Sequence, residues 1–122
     1  MAATRATKAS TYRCPVEATL DVIGGKWKVL ILWWLRDGVL RFGELRRQIA
    51  GISERMLTQQ LRELEDDGVV RRKVYPEVPP KVEYSLTPYG KSLRPISNLM
   101  CAWGKRHIQR KADGTQGARS RQ

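Results

Sequence analysis

The chain is short of most residues on which metal and cofactor chemistry depends. Its 122 residues include two cysteines, one histidine and one phenylalanine. Cys14 and Cys101 lie 87 positions apart and make no CxxC, and His107 stands alone, so a Cys/His metal cluster has too few ligands. No metal or cofactor is expected. Long apolar runs are also missing. The longest, Val29 to Leu35, has seven residues, whereas a membrane span needs about 20. That run predicts a buried helix and excludes a transmembrane one. The opening MAATRATKASTYR has no apolar stretch of the kind that makes a secretory signal, so a cytoplasmic protein with free thiols is expected. There is no G-x-S-x-G, H-E-x-x-H, Walker A or G-x-G-x-x-G pattern, and no enzymatic activity is expected.

Negative charge is scarce as well. Lys and Arg number 23 against 12 Asp and Glu, for a net charge of +11. An apolar share of 41% suffices for one core in a chain of this length. The excess of cations suits a polyanion, either nucleic acid or an anionic membrane surface. Its distribution is uneven. Residues 1–13 carry +3 and residues 105–122 carry +5, leaving +3 on everything between. Both ends are rich in Ala, Thr, Ser, Gly and Gln, so flexible basic segments are expected at 1–12 and 111–122, flanking one domain over 13–110.

Punctuation and periodicity place the elements. Pro15 opens a helix that Gly24-Gly25 closes, with Val16, Leu20 and Ile23 on one face. Lys26 to Arg36 is apolar almost all round, as in a central helix covered on every side. Phe42, Leu45 and Ile49 mark a short third helix with Arg46 and Arg47 outside. Ser53 caps a fourth, in which Leu57, Leu61 and Leu64 form an inward stripe. The period then falls to two: Val70, Arg72 and Val74, then Val82, Tyr84 and Leu86, flank a six-residue tip, Pro76 to Lys81. Thr87-Pro88 opens a last helix that Pro95 should kink.

A short helix, a turn with Gly51, a second helix with a polar outer face and a basic hairpin make a winged helix-turn-helix, mainly α with a small β-hairpin. The recognition helix covers 53–67 and the wing 69–86. The outer positions Ser53, Glu54, Arg55, Thr58, Gln59 and Arg62, with Met56 in the same first turns, suit a major groove: Arg can hold guanine O6 and N7, and Gln can bridge adenine N6 and N7. Arg71, Arg72, Lys73 and Lys81 on the wing, with Arg46 and Arg47 on the third helix, suit phosphates or the minor groove. Leu93, Ile96, Leu99, Met100 and Trp103 form more apolar surface than a terminal helix can hide on so small a core, which predicts a homodimer.

Cys14-Pro15-Val16, Gly24-Gly25-Lys26-Trp27, Arg41-Phe42-Gly43-Glu44-Leu45-Arg46, Met56-Leu57-Thr58, Leu61-Arg62-Glu63-Leu64-Glu65, Asp67-Gly68-Val69-Val70, Pro79-Pro80, Val82-Glu83-Tyr84 and Trp103-Gly104 occur in order. In this the chain resembles the HxlR-type regulators, bacterial winged helix-turn-helix transcription factors related to the MarR superfamily, over about 90 residues. The resemblance implies a homodimer on a pseudo-palindromic operator, most often a repressor. The first helix, with Val16, and the last form the dimer surface, and the fourth helix reads the DNA. Some relatives sense oxidants or electrophiles through a cysteine at the Cys-Pro position, which makes Cys14 a candidate sensor and a small-molecule or oxidant effector a candidate partner. Arg13 and the helix start both favour a thiolate there.

Other readings stand beside these. Trp27, Trp33, Trp34 and Trp103 read as core and dimer packing rather than as an aromatic effector pocket. His107 reads as an exposed helix-end residue. A module for protein interaction or for nucleic acid without sequence preference is the alternative function. An enzyme using Cys14 lacks a paired base in the sequence.

Overall fold

Each helix begins and ends where the local chemistry makes it cheap to do so. The computed structural model describes residues 11–121, with side chains through residue 114; residues 1–10 of the expected N-terminal arm lie outside the described residues. Helix α1 (Pro15–Ile23) places its proline at the first helical position, where the missing N–H has no partner to lose. The Glu17 carboxylate accepts from the Cys14 amide at 3.3 Å and supports the same end. Helix α2 (Lys28–Trp34) follows the Gly24-Gly25 break and buries Ile31 and Leu32, with Leu35 just beyond. The expectation that this helix is covered on every side is corrected. Leu30 remains exposed, and Lys28 is 6% exposed inside the fold. A domain this small has too few elements to surround a helix.

A two-residue strand, β1 (Leu40–Arg41), leads directly into α3 (Phe42–Gln48), and Glu44 caps that start by accepting from the Arg41 amide at 2.8 Å. The turn to α4 (Glu54–Asp66) passes through Gly51 at φ +85°, a conformation that side-chain-bearing residues rarely adopt. Ile52 pins this turn by burial, and the Ser53 hydroxyl accepts from the Met56 amide at 3.0 Å.

Strands β2 (Val70–Tyr75) and β3 (Lys81–Leu86) form the wing, and the sheet order β1-β3-β2 is antiparallel throughout. Arg72 stands opposite Tyr84 and Lys73 opposite Glu83; on the other side of β3, Arg41 also faces Glu83. Val70, Tyr84 and Leu86 turn inward, and Arg71 and Lys73 turn outward. Lys81 belongs to β3, so the tip has five residues rather than six. The strand β1 was not anticipated, because two residues show no alternation. The core runs through Ile31, Leu35, Leu45, Leu57, Leu61, Leu64 and Val69, all under 2% exposed.

The last helix also departs from expectation. Instead of one helix kinked at Pro95, there is a short α5 (Pro88–Lys91), a break, and α6 (Arg94–Arg121), which carries Pro95 in its first turn. A proline there costs no hydrogen bond, so the chain restarts before it rather than bending at it. Helix α6 continues to Arg121, past residue 110 where the compositional reading ended the domain.

Thr87 ties α5 to the base of the wing. Its hydroxyl donates to Gly68 O at 2.6 Å and accepts from Gly90 N at 2.9 Å, and its amide donates to Val69 O at 3.2 Å. Gly90 is buried so tightly against the Val69 carbonyl that a Cβ would collide with backbone. Gly90→Ala should therefore destabilise the fold by about 1–3 kcal/mol, the usual cost of overpacking a rigid site. Gly43→Ala, whose new methyl would meet only the end of Arg47 at 3.5 Å, should be neutral or slightly stabilising. Urea unfolding of both variants checks the contrast.

Candidate nucleic-acid interface

The site is built outward from α4. Its inward stripe, Leu57, Leu61 and Leu64, is fully buried, so the helix can rotate very little. One polar contact holds the flank: Lys28 Nζ on α2 meets Glu63 Oε1 at 2.5 Å. The other oxygen of that carboxylate faces the Gln59 amide nitrogen at 3.5 Å. A chain of contacts thus runs from the core helix to an outer position of α4.

The face opposite the stripe presents Glu54, Arg55, Thr58, Gln59 and Arg62, which with Phe42 line an open groove of about 770 Å³. Five of the residues selected from sequence are therefore brought together. Two others act differently. Met56 is half-buried and packs against the core, and its sulfur faces Gln60 Nε2 at 3.6 Å. The Ser53 hydroxyl is engaged as the helix cap. On the α3 side, Arg46 Nη1 lies 3.7 Å from Glu54 and its Nε donates to Ile52 O at 3.5 Å. Both partners of this ion pair are solvated, so it adds little energy. It does brace the turn before α4 and balances the Glu54 carboxylate at the start of the outer face. Arg47 is exposed beside it.

The four wing cations divide between the two sides of the sheet. Arg72 faces α4 and shares a second cavity with Thr58, Arg62 and Tyr84. Arg71 and Lys73 face away. Lys73 and Lys81 both lie over the ring of Tyr75, at 4.9 and 4.6 Å from its centroid. The Tyr75 hydroxyl donates to Glu83 at 2.7 Å, and Lys81 reaches the same carboxylate at 3.4 Å. The Tyr75 hydrogen bond, aided by the charges of Lys81 and Arg41, holds the Glu83 carboxyl below its ordinary value of 4.5 against a smaller opposing effect of desolvation.

Sequence reasoning did not single out Lys28, Glu63, Tyr75 or Glu83. A lysine at the start of an apolar helix was the available signal for the first pair. The register Tyr75 opposite Lys81 and Lys73 opposite Glu83 was the signal for the second.

The remaining candidates lie away from this face. Cys14 is exposed at the start of α1, and Cys101 is half-buried on α6. Val16, Ile96, Leu99, Met100 and Trp103 are exposed, whereas Leu93 packs against the core. His107, expected to be exposed, is half-buried and stacks on Trp103 at 5.0 Å. Trp27 and Trp34 pack on the core, and Trp33 lies under Arg36. Among the described residues no group of His, Cys, Asp and Glu could hold a metal ion.

A buried-stripe helix behind a glycine turn, followed by a three-stranded sheet with a protruding hairpin, defines a winged helix-turn-helix protein. The family model described as HxlR-like helix-turn-helix matches residues 22–112, and the chain belongs to that family. It is 59% identical over 99 residues to the HTH-type transcriptional regulator YtcD of Bacillus subtilis, covering 81% of this chain and 79% of that one. A crystal structure of an HTH-type regulator ytcD matches with a TM-score of 0.76 at 58% identity, over 80% of this chain and 99% of that chain. The redox regulator HypR in its oxidized form matches with a TM-score of 0.74 at 59% identity, over 76% of this chain and 96% of that chain.

Because the folded carboxyl of Glu83 binds protons less readily than an unfolded one, its contribution to wing stability is present above the ordinary carboxylate range and is lost as pH falls through the lower folded value. Tyr75→Phe should move the Glu83 titration midpoint upward, as read by carboxyl-carbon NMR. An unchanged midpoint would assign the shift to the lysine and arginine charges alone.

Proposed function

We propose that the chain is a transcription regulator, acting most often as a repressor, that binds a pseudo-palindromic operator in double-stranded DNA as a homodimer. Helix α4 enters the major groove, and the wing reaches the flanking backbone or minor groove. The observation that carries this reading is the division of α4 into a buried leucine face and an open face bearing Arg55, Thr58, Gln59 and Arg62. Val78 at the wing tip is fully exposed beside two prolines, the shape of an apolar wedge at a minor groove. Replacing Arg55 or Gln59 by Ala should relax sequence preference, at about 1–3 kcal/mol for each base-reading side chain removed. Arg71→Ala and Lys73→Ala should weaken binding to all duplexes alike and flatten the salt dependence. Mobility shifts on genomic fragments selected by the protein measure both. Equal operator affinity in Arg55→Ala and Gln59→Ala would remove α4 from the reading role.

The dimer is supported by the apolar faces of α1 and α6. Val16 and Leu20 on one helix, and Leu99 (71% exposed), Met100 and Trp103 (59% exposed) on the other, have no cover among the described residues. Both helices rest on α2, so a partner seated on them adds to the existing core. A monomer at micromolar concentration in sedimentation equilibrium would refute this. Cys14 opens one of these helices with an exposed thiol, and the likeness to a redox regulator supports a response to oxidants there. Mild thiol oxidation should change operator binding of the native chain and leave Cys14→Ser unchanged.

A further inference from the structure

We infer that Glu63 fixes the Gln59 side-chain amide with its nitrogen toward the C-terminal turns of α4 and its carbonyl toward the bases, so that the operator base met by Gln59 is an adenine; this rests on the reading of α4 given above. Gln59 and Glu63 stand one helical turn apart and line the same open groove. Gln59 Nε2 donates to Glu63 Oε2 at 3.5 Å. The contact is long, but its direction is forced. An ionised carboxylate has no proton to give, so an amide turned the other way would set its carbonyl oxygen against a second acceptor. Glu63 is kept from swinging aside by Lys28 Nζ, which holds its other oxygen at 2.5 Å. Lys28 is 6% exposed, and an ammonium removed from water in this way needs the carboxylate in place.

The N-terminal turns of a recognition helix are the ones that meet base edges, and Glu63 lies one turn to the C-terminal side of Gln59. The tether uses one amide proton and leaves the Gln59 carbonyl and the other amide proton for the groove. Adenine offers the matching pair, an N6 donor and an N7 acceptor. Cytosine offers only its N4 donor, and guanine and thymine put O6 and O4 against the carbonyl. An untethered amide reads either kind of edge, because half a rotation exchanges its donor and its acceptor. Glu63 is thus a positioning residue that acts through Gln59, and Lys28 acts through Glu63. The isosteric variant Glu63→Gln reverses the arrangement. Lys28 has only protons to offer and takes the new amide oxygen, which leaves the new amide nitrogen facing Gln59. Gln59 then turns its carbonyl to that donor and shows its own nitrogen to the base, and guanine becomes the fitting partner.

Duplexes selected from a random pool by the full chain, then measured with single base-pair changes, test this. Gln59→Ala locates the position by flattening the preference at one base pair. The native chain should favour adenine over guanine there by about tenfold, within the range of a bidentate base contact. Glu63→Gln should move that preference toward guanine and leave the other positions as they were. The Lys28→Met, Glu63→Met pair, which replaces a buried ion pair by apolar residues of similar size, guards against loss of folding and should leave adenine and guanine nearly equal. Without DNA, the side-chain amide NMR signals of Gln59 should shift in both variants. Unchanged amide signals, a base other than adenine in the native preference, or an adenine preference that survives both variants overturns the inference. So does a loss of affinity that is uniform over all positions, which would give Lys28 and Glu63 a role in folding alone. If the Gln59 signals follow Glu63 as stated but Gln59→Ala alters no position of the selected duplex, the tether stands and the reading of bases by this face of α4 is what fails.

Discussion

Everything that faces outward on α4 depends on how that helix is held from behind. Leu57, Leu61 and Leu64 give it depth, because three fully buried leucines on one stripe leave no room for it to slide. Leucine packing is less demanding about rotation than a directed contact is, and Lys28 to Glu63 supplies the direction. Lys28 has been taken almost wholly out of water, so it needs its partner; Glu63 is partly solvated and gives up less. Replacing the pair by apolar residues could preserve stability while losing the fixed rotation. That makes the ion pair a device for orientation more than for energy.

The positive charge has a similar logic. Most of the net +11 belongs to the two ends of the chain and cannot read a sequence. Several cations of the proposed interface are held in place: Arg46 by Glu54 and the Ile52 carbonyl, Lys73 and Lys81 by the Tyr75 ring, Lys81 also by Glu83. A carboxylate on the proposed DNA-facing surface looks unhelpful until its neighbours are considered. Glu83 is surrounded by Arg41, Lys73 and Lys81, and it limits their mutual repulsion while keeping them near the wing. The cost in net charge is one unit, and the gain is a smaller spread of side-chain positions.

Much of the architecture was legible because it follows from periodicity and from a few glycines and prolines. The leucine spacing of 57, 61 and 64 announced which face of α4 is buried, and alternation announced which wing residues turn outward. What escaped was of two kinds. Elements too short to show a period, β1 and the break between α5 and α6, leave no pattern to read. Contacts between residues distant in sequence leave none either: nothing in the stretch around Trp27-Lys28-Val29 names Glu63, 35 positions later. The same limit explains Met56, which lies in the right turns of α4 but on its flank, where a half-turn of rotation decides between groove and core.

The central helix α2 touches both halves of the proposed regulator. Helices α1 and α6, with Cys14 and Cys101, rest on it, and so does α4. In a dimer joined through α1 and α6, the separation of the two α4 helices would depend on how those helices sit on each α2, and half-site spacing requires that separation to be held to within a fraction of a helical turn. A shift at the dimer surface need not travel through loops to reach the DNA-facing side. Helix α2 touches α4 directly, through Lys28 and Glu63, and the same carboxylate faces Gln59. Coupling between the two surfaces would require α2 to have two positions in the packed core that they favour differently.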